Sequence, residues 1–162
     1  MAAAFAFAFS VFFSRFFIYG KAERDQNTWY LIRSGHSRYM GEWRNNKPHG
    51  KGVKEFFNEG RGKSFAFGNF VNGVLEGHGI QIFEQDVEPM VPYYVGEFKQ
   101  NEHDGAGEYY WGTGAFYKGE FKKSLFHGRG MLYSKVRDST FIGEYENDEE
   151  LSGVRIKGRA VS

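Results

Sequence analysis

The 162-residue sequence contains no cysteine. That removes disulfides, thiol catalysis and thiolate-ligated zinc or iron–sulfur sites in one step. Prolines number only 3, so the 22 glycines do not form a collagen pattern. Net charge is nearly absent, at +1, and gives no whole-chain pull toward nucleic acid or acidic partners. Among the histidines there is no His-x-x-x-His or His-Glu-x-x-His pair, so a helical zinc site has no support. No Ser/His/Asp arrangement stands out, and no cofactor is implied. What the chain has in excess is aromatic side chains, 19% of all residues, 18 of them Phe. Glycine and aromatics together suit a sheet of many short hairpins.

Those residues repeat. Tyr39-Met40-Gly41-Glu42-Trp43 is followed, nine residues after its glycine, by Gly50-Lys51-Gly52. Gly68-Asn69-Phe70 leads in the same way to Gly77-His78-Gly79. Tyr94-Val95-Gly96-Glu97-Phe98 leads to Gly105-Ala106-Gly107, and Tyr117-Lys118-Gly119-Glu120-Phe121 to Gly128-Arg129-Gly130. A fifth copy, Phe141-Ile142-Gly143-Glu144-Tyr145, retains only Gly153 of the return. A short fixed period means a repeat architecture.

Residues i, i+2 and i+4 of a strand share a face. Tyr39 and Trp43 therefore point one way with Gly41 between them, while Met40 and Glu42 point the other. The glycines of the return offer bare backbone over which rings can lie, and Gly50 and Gly128 are expected under such a ring. Between the strands stand Asn45-Asn46, Asn72-Gly73, Gln100-Asn101, Lys123-Ser124 and Asn147-Asp148, mostly turn formers. Return strands are expected at Val53–Phe57, Ile80–Phe83, Glu108–Trp111 and Met131–Tyr133. Trp29–Ile32 reads as a half-repeat covering the first copy's edge. The recurring Glu42, Glu97, Glu120 and Glu144, like His49 and His127, are expected to be structural, either hydrogen-bonding at the hairpin turn or forming an outward polar face. The Gly-x-Gly pairs lack a third glycine and a following helix pattern, so they are not nucleotide loops. Gly60-Arg61-Gly62-Lys63-Ser64 lacks the first glycine of a phosphate-binding loop. Arg155, Lys157 and Arg159 alternate, which places them on one strand face.

The pattern resembles the MORN (membrane occupation and recognition nexus) repeat, which opens Tyr-x-Gly-Glu-Trp and returns His-Gly-x-Gly. Copies 1 and 4 match both ends, through His49-Gly50-Lys51-Gly52 and His127-Gly128-Arg129-Gly130. Copy 3 has Asp104 in the histidine position; copy 2 has Ala66, Asn69 and Glu76 in place of the aromatic, the acid and the histidine. The resemblance implies an all-β fold, an elongated single-layer antiparallel sheet of about five hairpins.

Ahead of it, residues 1–19 form an apolar block with no charge before Arg15. Phe9, Phe12, Phe13, Phe16 and Phe17 fall on one face of a helix. A membrane-inserted or membrane-lying segment, a retained targeting segment and a protein-packing arm all fit. The organisation read from the sequence is thus 1–19 apolar segment, 20–38 linker and capping strand, and 39–162 repeat domain. The reading is a non-enzymatic scaffold, an accessory structural subunit of a larger and membrane-bound complex. The alternatives are an axonemal or cytoskeletal component and a phospholipid-binding tether. Partners are other protein subunits, with lipid contact through the N-terminus and no nucleic acid. The contact residues expected are those five phenylalanines with Trp43, Phe98 and Phe121. The acid-poor N-terminus suggests a membrane location such as the mitochondrion, with the cilium or cytoskeleton as the alternative.

Overall fold

The computed structural model describes residues 24–32, 36–58, 62–84 and 90–160. The N-terminal block and its expected helix lie outside them. Among the described residues, eleven strands form one open antiparallel sheet whose spatial order is the order of the sequence. They are β1 (Tyr30–Leu31), β2 (Ser37–Arg44), β3 (Lys47–Asn58), β4 (Gly62–Val71), β5 (Val74–Phe83) and β6 (Tyr93–Lys99), then β7 (Glu102–Tyr110), β8 (Phe116–Lys122), β9 (Leu125–Ser134), β10 (Ser139–Glu146) and β11 (Glu149–Lys157). β1 is the two-residue core of the expected half-repeat and pairs with Tyr39 and Arg38 of β2.

Each hairpin closes through two residues with positive φ: Asn45 and Asn46 at 49° and 59°, Gln100 and Asn101 at 53° and 69°, Lys123 and Ser124 at 51° and 65°. Two left-handed residues in succession match the right-handed twist of the flanking strands. Such a tight turn lets pairing begin at once. The return strands therefore start earlier than the sequence reading placed them, at Lys47, Val74, Glu102 and Leu125, and Trp111 falls just beyond β7.

The register is set by glycine. Gly41, Gly52, Gly68, Gly79, Gly96, Gly107, Gly119, Gly130, Gly143 and Gly153 stand directly opposite one another, strand after strand, from β2 to β11. The ring of Tyr39 lies over Gly52, that of Tyr94 over Gly96 and Gly107, and that of Tyr117 over Gly130. The ring therefore covers the second glycine of each Gly-x-Gly, not Gly50 or Gly128 as expected. The first glycine belongs to a bulge that gives the return strand two extra residues between Gly41 and Trp43 and, likewise, between Gly119 and Glu120. Gly50 and Gly128 have φ of 68° and 56° there, and they face the carboxylates of Glu42 and Glu120. Those carboxylates accept the N–H of Lys51 at 3.1 Å and of Arg129 at 3.4 Å. The repeated acid is thus structural, as its recurrence implied.

Rings then interlock. Tyr39–Trp43, Tyr94–Phe98 and Tyr117–Phe121 meet edge to face with centroids 5.1 Å apart in all three copies. Tyr39–Phe70, Tyr94–Phe121 and Tyr117–Tyr145 carry the ladder into the next copy at 5.0, 5.0 and 5.2 Å. In copy 2, where Ala66 replaces the tyrosine, Leu75 and Phe98 lie against Gly68 and Gly79 instead.

The copies are also joined through their turns. Asn101 donates its N–H to Leu75 O at 3.1 Å, and Leu75 N–H returns to Asn101 Oδ1 at 2.8 Å. Ser124 and His103 repeat this at 2.9 and 3.1 Å, Asp148 and Phe126 at 3.1 and 2.7 Å. At the first junction Gly73 N–H donates to Pro48 O at 2.8 Å. The return bond is missing from both sides at once, because proline has no N–H and glycine no side chain.

His103 occupies the place that Phe126 holds in copy 4, stacked on Tyr94 at 3.7 Å as Phe126 is on Tyr117 at 3.9 Å. Its Nε2 lies 2.9 Å from Gln81 Oε1. Burial pulls its pKa down from 6.5 to about 4.

Three outcomes follow from this packing. Gly130→Ala would put a Cβ 2.3 Å from the hydroxyl of the fully buried Tyr117, costing about 1–3 kcal/mol by overpacking. Gly77→Ala enters open space and bears backbone strain alone, so thermal unfolding should rank it the more stable of the two. Asn101→Gly strands the Leu75 N–H and should cost about 1–3 kcal/mol in urea unfolding, whereas Gly73→Asn, facing Pro48, should gain nothing. For His103 the neutral form is favoured by folding. Its stabilisation is present above pH 6.5 and is lost as pH falls toward about 4, about 3 kcal/mol in all. His103→Phe should flatten that acid-side loss relative to the unaltered chain, measured by denaturation at neutral and acid pH.

Candidate interaction surface

The face that carries the ring ladder is largely spent on its own packing. Burial and the Glu42 charge push the Tyr39 phenol up to about 12, and burial with Glu120 does the same for Tyr117. Both stay protonated and donate: Tyr117 to Glu120 O at 3.0 Å, Tyr39 to Lys51 O at 3.3 Å. Phe98 and Phe121, expected as partner contacts, are only 3% and 4% exposed and form the floor of the ladder. Trp43 is half-buried at the sheet's first hairpin, with the Arg24 guanidinium 3.7 Å from its ring. What remains accessible on this face is the half-buried fringe of Phe83, Tyr109, Trp111 and Phe126. The other five expected contacts, Phe9, Phe12, Phe13, Phe16 and Phe17, lie outside the described residues.

The opposite face is different, and sequence reasoning overlooked it. A row of side chains crosses the sheet there, one from each strand from β2 to β11. Met40, Val53, Phe67, Ile80 and Val95 stand opposite one another from β2 to β6. Met131, Ile142 and Val154 continue the row across β9 to β11. Between the two apolar runs Glu108 and Lys118 are paired at 3.4 Å. A second row includes Ile82, Tyr93, Tyr110, Phe116 and Tyr133. Tyr93 and Tyr110 stack at 4.7 Å, and Tyr110 donates to Glu108 at 2.5 Å. Burial and that bond raise the Tyr110 pKa. At the first hairpin the buried Glu55 is neutralised by Arg38 and by Lys63 at 3.7 Å. The apolar row thins outward: Val95 is 37% exposed, Ile142 40% and Val154 63%. Exposed apolar patches mark interaction sites, and the row offers one on each side of the Glu108–Lys118 pair. The signal was in the sequence, at the residue between each opening aromatic and its glycine and at the residue after each Gly-x-Gly.

The three C-terminal cations do not share a face as their spacing predicted. Arg155 stands opposite Phe141 on the ladder face and is paired with Glu150. Gly158, with φ 80°, then turns the chain, and Arg159 lies 5.0 Å over Phe116 on the other side. Among the described residues no group of acids and histidines could hold a metal ion, and no helix is long and apolar enough to cross a membrane.

Comparison with known proteins agrees with this geometry. The family model described as MORN repeat matches residues 39–61, 67–85, 94–116 and 117–136, together more than half of the chain. Alsin of Homo sapiens and of Rattus norvegicus are each 33% identical over 116 residues, 69% of this chain and 7% of Alsin. ALS2 C-terminal-like protein of Homo sapiens is 35% identical over 96 residues, 59% of this chain and 10% of that protein. The chain therefore spans a small fraction of the length of these relatives. MORN repeats are generally non-catalytic modules and generally mediate protein or lipid interactions. With its glycine row, ring ladder and bulged returns repeated hairpin by hairpin, this chain belongs to the MORN repeat family.

Proposed function

We propose that this chain is a non-enzymatic scaffold subunit of a larger, membrane-bound protein assembly. The observation that supports it most is the apolar row from Met40 to Val154 on the face opposite the ladder. A single-layer sheet encloses no cavity, and its free face is a long, shallow docking surface. Protein subunits pack on that face and on the ladder's fringe, touching Trp43 directly while Phe98 and Phe121 hold the fringe in place from beneath. Residues 1–19 supply the attachment. Phe9, Phe12, Phe13, Phe16 and Phe17 are covered by lipid or by another subunit, because five such side chains left in water would each forgo roughly 1.5–3 kcal/mol. The two roles separate, since each hairpin's contacts are with its neighbours.

Recovering native complexes tests this in two arms. Removal of residues 1–19 should leave the melting temperature of the repeats unchanged and abolish co-sedimentation with membranes. Val95→Lys with Ile142→Lys should keep the membrane fraction and lose the co-purifying proteins. A trimmed chain that still sediments, or a double-lysine chain that recovers the same partners, would overturn the reading.

A further inference from the structure

The row opposite the ladder has a centre. Ile80 and Val95 lie on one side of it, Met131 and Ile142 on the other, and Glu108 of β7 faces Lys118 of β8 at the middle. One residue past each glycine, on the same face, runs a polar row. It pairs His78 with Glu97 across β5 and β6, Ala106 with Glu120 across β7 and β8, and Arg129 with Glu144 across β9 and β10. On the other flank Gly158 and Ala160 bond to Thr140, and Arg159 lies over Phe116. The aliphatic and polar rows are what this strap leaves open. Sheets bury an apolar face of this kind against a second layer.

Charge says which layer. We propose, taking this face as the docking surface described above, that its occupant is the same face of a second copy of this chain. The two sheets pack as a sandwich about a two-fold axis parallel to the strands, between β7 and β8. That rotation exchanges β7 with β8, β6 with β9 and β5 with β10. Glu108 then faces Lys118 of the second copy, Glu97 faces its Arg129 and His78 faces its Glu144. Each pair occurs twice, and across β5 to β10 no like charges stand opposite. Val95 meets Met131 of the second copy and Ile80 meets its Ile142, apolar on apolar. The pairs within one chain, Lys118–Glu108 at 3.4 Å and Arg129–Glu144 at 3.1 Å, become halves of larger clusters. An isologous contact of this kind closes at two copies. An axis across the strands would instead set Glu108 on Glu108 and Lys118 on Lys118. The contact lies within β5 to β10, so it is indifferent to what adjoins either edge of the sheet.

Sedimentation velocity and light scattering on the full chain test this. The expected mass rises with concentration from 18.6 kDa to twice that value. Lys118→Glu alone and Glu108→Lys alone each bring like charges together twice, and each should weaken the dimer about tenfold. Mixing the two variants restores every pair, so native mass spectrometry should show the heterodimer in excess of both homodimers. The chain has no cysteine, which leaves engineered thiols as the only sites for a short bismaleimide. A mixture of Val95→Cys and Met131→Cys copies should cross-link; a mixture of Val95→Cys and Val136→Cys copies should not. A chain monomeric at every concentration overturns the proposal. So does a dimer that ignores both charge reversals, which would place the contact elsewhere, for instance in the N-terminal block. The docking reading is judged separately. If Val95→Lys with Ile142→Lys strips the co-purifying proteins from a chain that never dimerises, the face docks another protein and only its assignment to a second copy falls.

Discussion

The structure depends on one contact, a tyrosine ring lying flat on a pair of glycines from neighbouring strands. Most domains bury their sheets against a second layer. The described residues here form one layer only, so the core has to be made within it. Removing the side chains of two facing residues opens a shallow trough, and the ring of Tyr39, Tyr94 or Tyr117 fills it. The hydroxyl then reaches the carbonyls of the bulge, and the ring edge receives the next aromatic. Shape, hydrogen bonding and aromatic packing are all settled by that placement.

The rest of the repeat serves it. The bulge with its left-handed glycine moves the carbonyls to where the tyrosine can meet them, and the glutamate satisfies the N–H that the bulge leaves over. The turn residues fix each copy on the one before. The Pro48 and Gly73 pair shows that this junction is a matched set, since donor and acceptor vanish together. Copy 2 survives the loss of its tyrosine because Phe98 reaches back from copy 3. The fifth copy, with Phe141 in place of the tyrosine and a reduced bulge, is where the pattern fades.

Function follows from what this economy leaves unused. Among the described residues one face and one edge remain: the apolar row opposite the ladder and the outer side of β11. Both have the character that association needs, extended apolar surface in one case and unpaired backbone in the other.

The sequence by itself determined the hairpins, their two-residue turns, the glycine spacing and the partnership of ring with glycine, because each depends on residues close along the chain. The acid's structural role was legible too, from its recurrence. Which glycine lies under the ring was not. The bulge adds two residues to the return strand, and alternation counted along the sequence cannot register an insertion that exists only in the pairing. His103 was unremarked because a histidine beside Asp104 resembles no phenylalanine until both are seen stacked on a tyrosine. The apolar row likewise belongs to no single stretch. It consists of one side chain from each of many strands, and only their alignment in the tertiary structure turns scattered Met, Val, Phe and Ile into a surface.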